Sequence, residues 1–233
     1  MKSFLEDAFF REGVRDAIPV SVSYMFLFFS VGSLCAGAGY SALQAGLMSV
    51  FVFAAPLQIF IMQNGEAITF AMLLLASVMI NFRFVVMSSV LGSRLNGIPP
   101  AKALAATFLM SASTFVVSNS KEDASPTELL RYHTGVGALS IGTALIATLS
   151  GTMFAGELDG PLTKVVGMIL PIHFATLTGL QWPKLKPVFI TITAAVLSPI
   201  LGKFAGDAQV FILPFALAAC VMAGDMVAEA VRE

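Results

Sequence analysis

Charge is what this 233-residue chain lacks most: 13 Lys and Arg with 14 Asp and Glu make up 12% of its residues, against about 25% in a soluble domain. So little polar surface cannot clothe a globule of this size in water, which excludes a freely soluble fold. The basic residues are scattered and the net charge is −1, so the electrostatic footprint of a nucleic-acid binder is missing. Only two cysteines occur, Cys35 and Cys220, both inside apolar runs, where neither a disulfide framework nor a zinc site can be built. There are two histidines, His133 and His173, and no His-Glu-x-x-His or Gly-x-Ser-x-Gly motif. An enzyme needs convergent titratable groups, so catalysis is not expected, nor is a metal or other cofactor.

What is abundant is apolar length. Hydrophobic residues reach 57% and the mean hydropathy is +0.87. A helix rises about 1.5 Å per residue and needs about 20 apolar residues to cross a hydrocarbon core. Eight segments approach that length: 18–37, 42–62, 67–91, 103–118, 134–155, 163–181, 187–206 and 208–228. Runs such as Ala71 to Ala76 are apolar on every side rather than alternating, which excludes barrel strands. The fold expected is an all-α, polytopic membrane bundle of seven or eight transmembrane helices, some broken by proline, over residues 17–233. If the second segment only dips in and returns, the count is seven.

Ahead of the first span, Phe4, Leu5, Ala8, Phe9 and Val14 recur at helical spacing opposite Glu6, Asp7, Arg11, Glu12 and Arg15. Residues 1–16 therefore predict an amphipathic helix lying at the membrane interface. A cleaved leader is the competing reading, but residues 1–17 hold three basic and four acidic groups, where a leader calls for a basic start. With eight spans, the inner segments hold Lys2, Arg11, Arg15, Lys121, Arg131, Lys184, Lys186 and Arg232, and the outer loops hold Arg94, Lys102, Lys164 and Lys203. That distribution places the amino terminus in the cytoplasm.

Polar groups within the apolar runs mark candidate sites. Arg83, beside Asn81 in the third segment, costs about 2.5–3.5 kcal/mol to insert at that depth and calls for a partner or a wet cavity. Snorkelling to the nearer surface is the alternative. In the second segment Pro56 removes a donor and frees a carbonyl next to Gln58. A broken helix of this kind binds substrate in many secondary transporters, or is a simple kink. In the fourth segment Ser111, Ser113 and Thr114, followed by Phe115, either line a polar path or bond back to their own helix. His133, close to Arg131, is expected at the surface. His173, beside Pro171, is a candidate proton relay or a satisfied neutral imidazole. Glu66, Asp207 and Asp225 lie near segment ends and read as boundary charges.

Three stretches carry a resemblance: Gly13-Val14-Arg15-Asp16-Ala17-Ile18-Pro19, Phe53 to Gln58, and Asn81-Phe82-Arg83. With the length and spacing of nearly the whole chain, they make it similar to the AzlC-type family, the large subunit of branched-chain amino acid exporters. The resemblance implies a bacterial cytoplasmic (inner) membrane protein that works with a small AzlD-type membrane subunit. It implies export of valine, leucine, isoleucine and sometimes methionine, with Gln58, Asn81 and Arg83 at the substrate. Two departures stand out: Phe84 follows Arg83 where the family usually has His, and Ser111 to Phe115 lacks the family's usual acidic pair. The function expected is a secondary transporter subunit exporting small aliphatic amino acids, with Pro56, Gln58, Asn81, Arg83, Ser111, Thr114 and Phe115 as substrate-binding residues. A channel for ions or small solutes, or a transporter of another small carboxylate, is the alternative.

Overall fold

The computed structural model describes residues 7–65, 68–155, 185–205 and 209–230, with isolated positions between 168 and 183. Contacts divide the chain into two compact units, Met1–Leu170 and Pro171–Glu233.

The first unit opens with α1 (Ala8–Asp16), whose N-cap Asp7 accepts from the amides of Phe9 and Phe10, and α2 (Ile18–Gly37), opened by Pro19. The second segment of the sequence is two short helices, α3 (Ala42–Phe51) and α4 (Ala55–Asn64). Pro56 stands in the first turn of α4, and the chain breaks at Val52 to Ala54, where the proline ring would clash with the carbonyl four residues back. After α5 (Phe70–Arg94) the fourth segment is likewise split, into α6 (Pro100–Phe108) and α7 (Ala112–Asn119). The unit continues with α8 (Pro126–Met153), started by a capping box of Ser125 and Glu128.

Glycines let α2 and α8 pack backbone to backbone. A Cβ on Gly32 would stand 2.0 Å from the Thr148 carbonyl, and one on Gly151 2.1 Å from the Phe29 carbonyl. Ala17 clusters with Tyr132 and Val136 near the start of both helices, so α2 and α8 run parallel. α1 docks on the first turns of α8 through Gly13 against Tyr132 and Gly135 against Phe10. Three polar ties hold it there: Asp7 with Arg131, Glu12 with Lys121, and Tyr132 Oη donating to Asp16 Oδ2 at 3.0 Å.

α5 runs opposite to α2. Its last residue, Arg94, donates to the carbonyl (3.3 Å) and side-chain oxygen (3.2 Å) of Asn119, and also to the Lys121 and Glu122 carbonyls, beside the start of α8. α6 therefore leaves from, and α7 returns to, the same end. His133 of α8 confirms the turn-back by bonding both legs, Nε2 donating to the Ala106 carbonyl at 3.0 Å and Nδ1 meeting Ser118 Oγ at 2.8 Å. The second segment does the same from the other end. Gln58, one turn after its break, reaches Ser49, one turn before it, at 3.2 Å, so α4 doubles back toward the end where α5 begins. Ten residues rise about 15 Å, half of a hydrocarbon core.

The second segment dips in and returns, as the seven-crossing alternative has it, while the other expectations of the eight-span reading change. Four helices among the described residues are long and apolar enough to cross a membrane, Ile18–Gly37, Phe70–Arg94, Pro126–Met153 and Val188–Ala205, which supports a helical membrane protein but not a count of seven or eight spans. Segments 42–62 and 103–118 are hairpins dipping from opposite ends. Arg94 and Lys102 consequently share the end of Arg15 and Lys121 instead of lying opposite it. His133 is fully buried, not on the surface.

The second unit contains α9 (Leu185–Ala205), with Pro199 inside it, and α10 (Gln209–Ala230), packed against each other. Most of segment 163–181 lies outside the described residues, as do Lys2, Glu66, Lys164, Lys184, Asp207, Arg232 and the side chain of Asp225.

Candidate functional site: two hairpin tips at Tyr24

The two breaks meet at one side chain of α2. Tyr24 is 4% exposed and its hydroxyl lies 2.6 Å from Ser111 Oγ, at the tip of the second hairpin. Its ring packs edge-on against Phe53, at the tip of the first, with centroids 5.9 Å apart, and against Phe28 at 5.3 Å. Phe53 also stacks on Phe28 at 5.9 Å. Phe53 has φ +44°, the left-handed region that a bulky residue seldom enters, and it is the single non-glycine case among the described residues. Its ring contacts hold that conformation in place, as strained residues at ligand sites require.

Arg83 of α5 lies within electrostatic reach of the junction. α5 spans 25 residues, so Arg83 stands one residue past its midpoint, about 1.5 Å along the axis, and some 16 Å from the helix end that a snorkelling side chain would have to reach. Its charge acts on the Tyr24 phenol, and its guanidinium carbon sits 5.2 Å from the centre of the Phe84 ring. The aromatic at position 84 thus forms a cation–π floor for the arginine. Asn81 is half-buried, and its Oδ1 is shielded from solvent with no hydrogen-bond partner among the described residues.

Gln58 belongs to a second polar cluster one level away. Thr148 Oγ1 donates to the Ala144 carbonyl at 2.8 Å, so it accepts from Ser49 Oγ at 2.7 Å, and Ser49 in turn accepts from Gln58 Nε2. In that arrangement Gln58 Oε1, fully buried, has no donor among the described residues.

The remaining expected residues divide. Ser111 and Thr114 cap α7 reciprocally: the Ser111 amide donates to Thr114 Oγ1 at 2.7 Å and the Thr114 amide to Ser111 Oγ at 3.2 Å. Thr114 is therefore spent on the turn, while Ser111 also faces Tyr24. Pro56 starts α4 and shapes the break rather than presenting a group. Phe115 packs into an apolar cluster with Leu91, Leu95, Met110 and Leu129. His173 is buried in the second unit. Tyr24 was not singled out from the sequence, although a phenol inside an apolar run needs a polar partner and so gives a signal.

The half-buried Arg83 is a cation, Asn81 and Gln58 each hold an amide oxygen with no partner among the described residues, and Tyr24, Phe28 and Phe53 form an aromatic cluster. Comparison with curated proteins and with solved structures found no match. A family model described as AzlC protein matches residues 19–158, which take in α2 to α8, both hairpins and the whole Tyr24 junction. With more than half of its length so matched, the chain belongs to the AzlC family, a transport-associated family of membrane proteins.

Proposed function

We propose that the chain is the large subunit of a secondary transporter that exports small aliphatic amino acids, branched-chain ones foremost, across the bacterial cytoplasmic membrane. The observation that carries this reading is Arg83 at the midpoint of α5, beside the point where two half-depth hairpins meet. Irregular backbone at such depth is tolerated where it faces protein or a solute path, and discontinuous helices of this kind form the binding sites of many secondary transporters. Arg83 binds the carboxylate, Tyr24 and Ser111 border it, and Phe28 and Phe53 receive the aliphatic side chain.

Orientation follows from the charges. Arg11, Arg15, Arg94, Lys102, Lys121 and Arg131 all belong to the end where α2 and α8 begin, while the chain from Ala38 to Thr69 has no lysine or arginine. The positive-inside rule then puts the amino terminus and the tip-bearing α6–α7 hairpin's base in the cytoplasm, and the base of α3–α4 outside. α1 lies at the cytoplasmic interface, held by α8. The family works with a partner subunit in general, and we assign that role to a small AzlD-type membrane protein.

The test is efflux. Cells loaded with a valine-containing dipeptide should release valine when the chain and its small partner are expressed, and retain it when the chain is deleted. Equal release with and without the chain would overturn the reading.

A further inference from the structure

The export reading supplies a cation for the carboxylate but not yet an acceptor for the ammonium group. Between Asp16 and Glu122 the sequence has one acidic residue, Glu66, and α8 has none after Glu128. Neutral oxygens must therefore receive positive charge in the core of this unit, and the structure shows one poised to do so. Gln58 Oε1 is buried with no donor among the described residues, and its Nε2 donates to Ser49 Oγ at the head of a chain that runs through Thr148 to the Ala144 carbonyl. A buried amide oxygen left bare is destabilising, and a bound donor or cation recovers that loss.

The break brings together the carboxyl end of α3, with partial negative charge, and the amino end of α4, with partial positive charge, from which Gln58 projects. Ser49, which anchors the Gln58 amide, lies in the last turn of α3, where carbonyls lack the amide four residues on because the helix stops at Phe51. That half-helix terminus carries partial negative charge near mid-membrane. Ala54, the N-cap of α4, supplies no capping side chain to complicate the site. A divalent ion would need carboxylates, which are missing, so the fit is to a small monovalent cationic centre.

We propose that Gln58 Oε1, with the terminal carbonyls of α3, binds such a centre: the α-ammonium group of the transported amino acid, or a sodium ion that travels with it. The proposal deepens the export reading and rests on it, so its test reads binding rather than transport.

The full-length chain, purified in detergent, is melted with valinamide, which has the amine without the carboxylate, with 3-methylbutanoate, which has the carboxylate without the amine, and with sodium against choline chloride at equal ionic strength. A midpoint raised by valinamide identifies the ammonium source, and one raised by sodium alone identifies the ion. Gln58→Met, close in shape but with no acceptor, should weaken that response at least tenfold while the response to 3-methylbutanoate stays. Gln58→Glu should strengthen it about tenfold, and serves as the deciding variant if Gln58→Met does not fold. The proposal is overturned if neither valinamide nor sodium moves the wild-type midpoint, or if both variants respond as wild type does. Absence of valine efflux with this cation response intact would count against the export reading alone, whereas efflux with no cation response would count against this site alone.

Discussion

Tyr24 Oη and Ser111 Oγ, 87 positions apart in sequence, meet at 2.6 Å and join the first long helix to the tip of the second hairpin. Because Phe53 packs on the same tyrosine ring, one side chain registers both hairpins against each other. A buried hydrogen bond of this kind contributes about 1 kcal/mol net. Tyr24→Phe and Ser111→Ala should each lower the melting midpoint by a few degrees, and the double variant by less than the sum. Additive losses in a double-mutant melt would separate the two residues.

The hairpin topology makes a sharper prediction. With Cys220, which is exposed, replaced by serine and buried Cys35 retained, single cysteines introduced as Gly39→Cys and Asn64→Cys should be labelled from the same side of the membrane. Gly97→Cys and Ser120→Cys should both be labelled from the other. Eight full crossings would instead put the members of each pair on opposite sides, and membrane-impermeant maleimides in intact cells decide between them.

Close packing of α2 on α8 leaves no room for a methyl group. Gly32→Ala and Gly151→Ala drive a Cβ to within about 2 Å of a backbone carbonyl and should destabilise by about 1–3 kcal/mol or more, read as a lower melting midpoint. Gly142→Ala, on the same helix with open space around it, should melt as wild type does.

The amino-terminal helix should come loose in acid. Burial raises the Asp7 pKa, but Arg131 and the amides of Phe9 and Phe10 outweigh it and hold the carboxyl below its ordinary value of 3.8. The contribution is thus complete above that value and lost as pH falls through the lower folded-state value. Protection of α1 amides, relative to their intrinsic exchange at each pH, should hold at pH 5 and fall only below about 4, whereas Asp7→Asn should be less protected than wild type above that range and converge with it below. Loss of wild-type protection already between pH 7 and 5 would contradict the assignment.

Length and hydropathy predicted the apolar segments well because burial in lipid depends on composition, and Pro56 marked the break in the second. Direction after a break is another matter. Whether α4 goes on or returns depends on Gln58 finding Ser49, and whether α7 returns depends on His133 bridging Ala106 and Ser118, contacts that periodicity does not encode. Arg94 and Lys102 stand on the side that the seven-crossing alternative gives them, not the side of the eight-span reading. His133 itself was misread from its charged neighbour Arg131, although Ser125, Pro126 and Glu128 together signal a helix start that puts it well inside. At the site, Arg83 and Asn81 were legible from the cost of polarity in lipid. Tyr24 was not, since its role depends on two segments that approach it only in the fold.

The central claim is that Arg83 receives the carboxylate of an exported amino acid. Exchange of radiolabelled valine is measured in proteoliposomes holding the chain and its small partner subunit. Losing a charge-assisted hydrogen bond costs about 1.5–3 kcal/mol, so Arg83→Gln should exchange roughly ten- to a hundredfold more slowly than wild type. Exchange by Arg83→Gln at the wild-type rate would contradict the account.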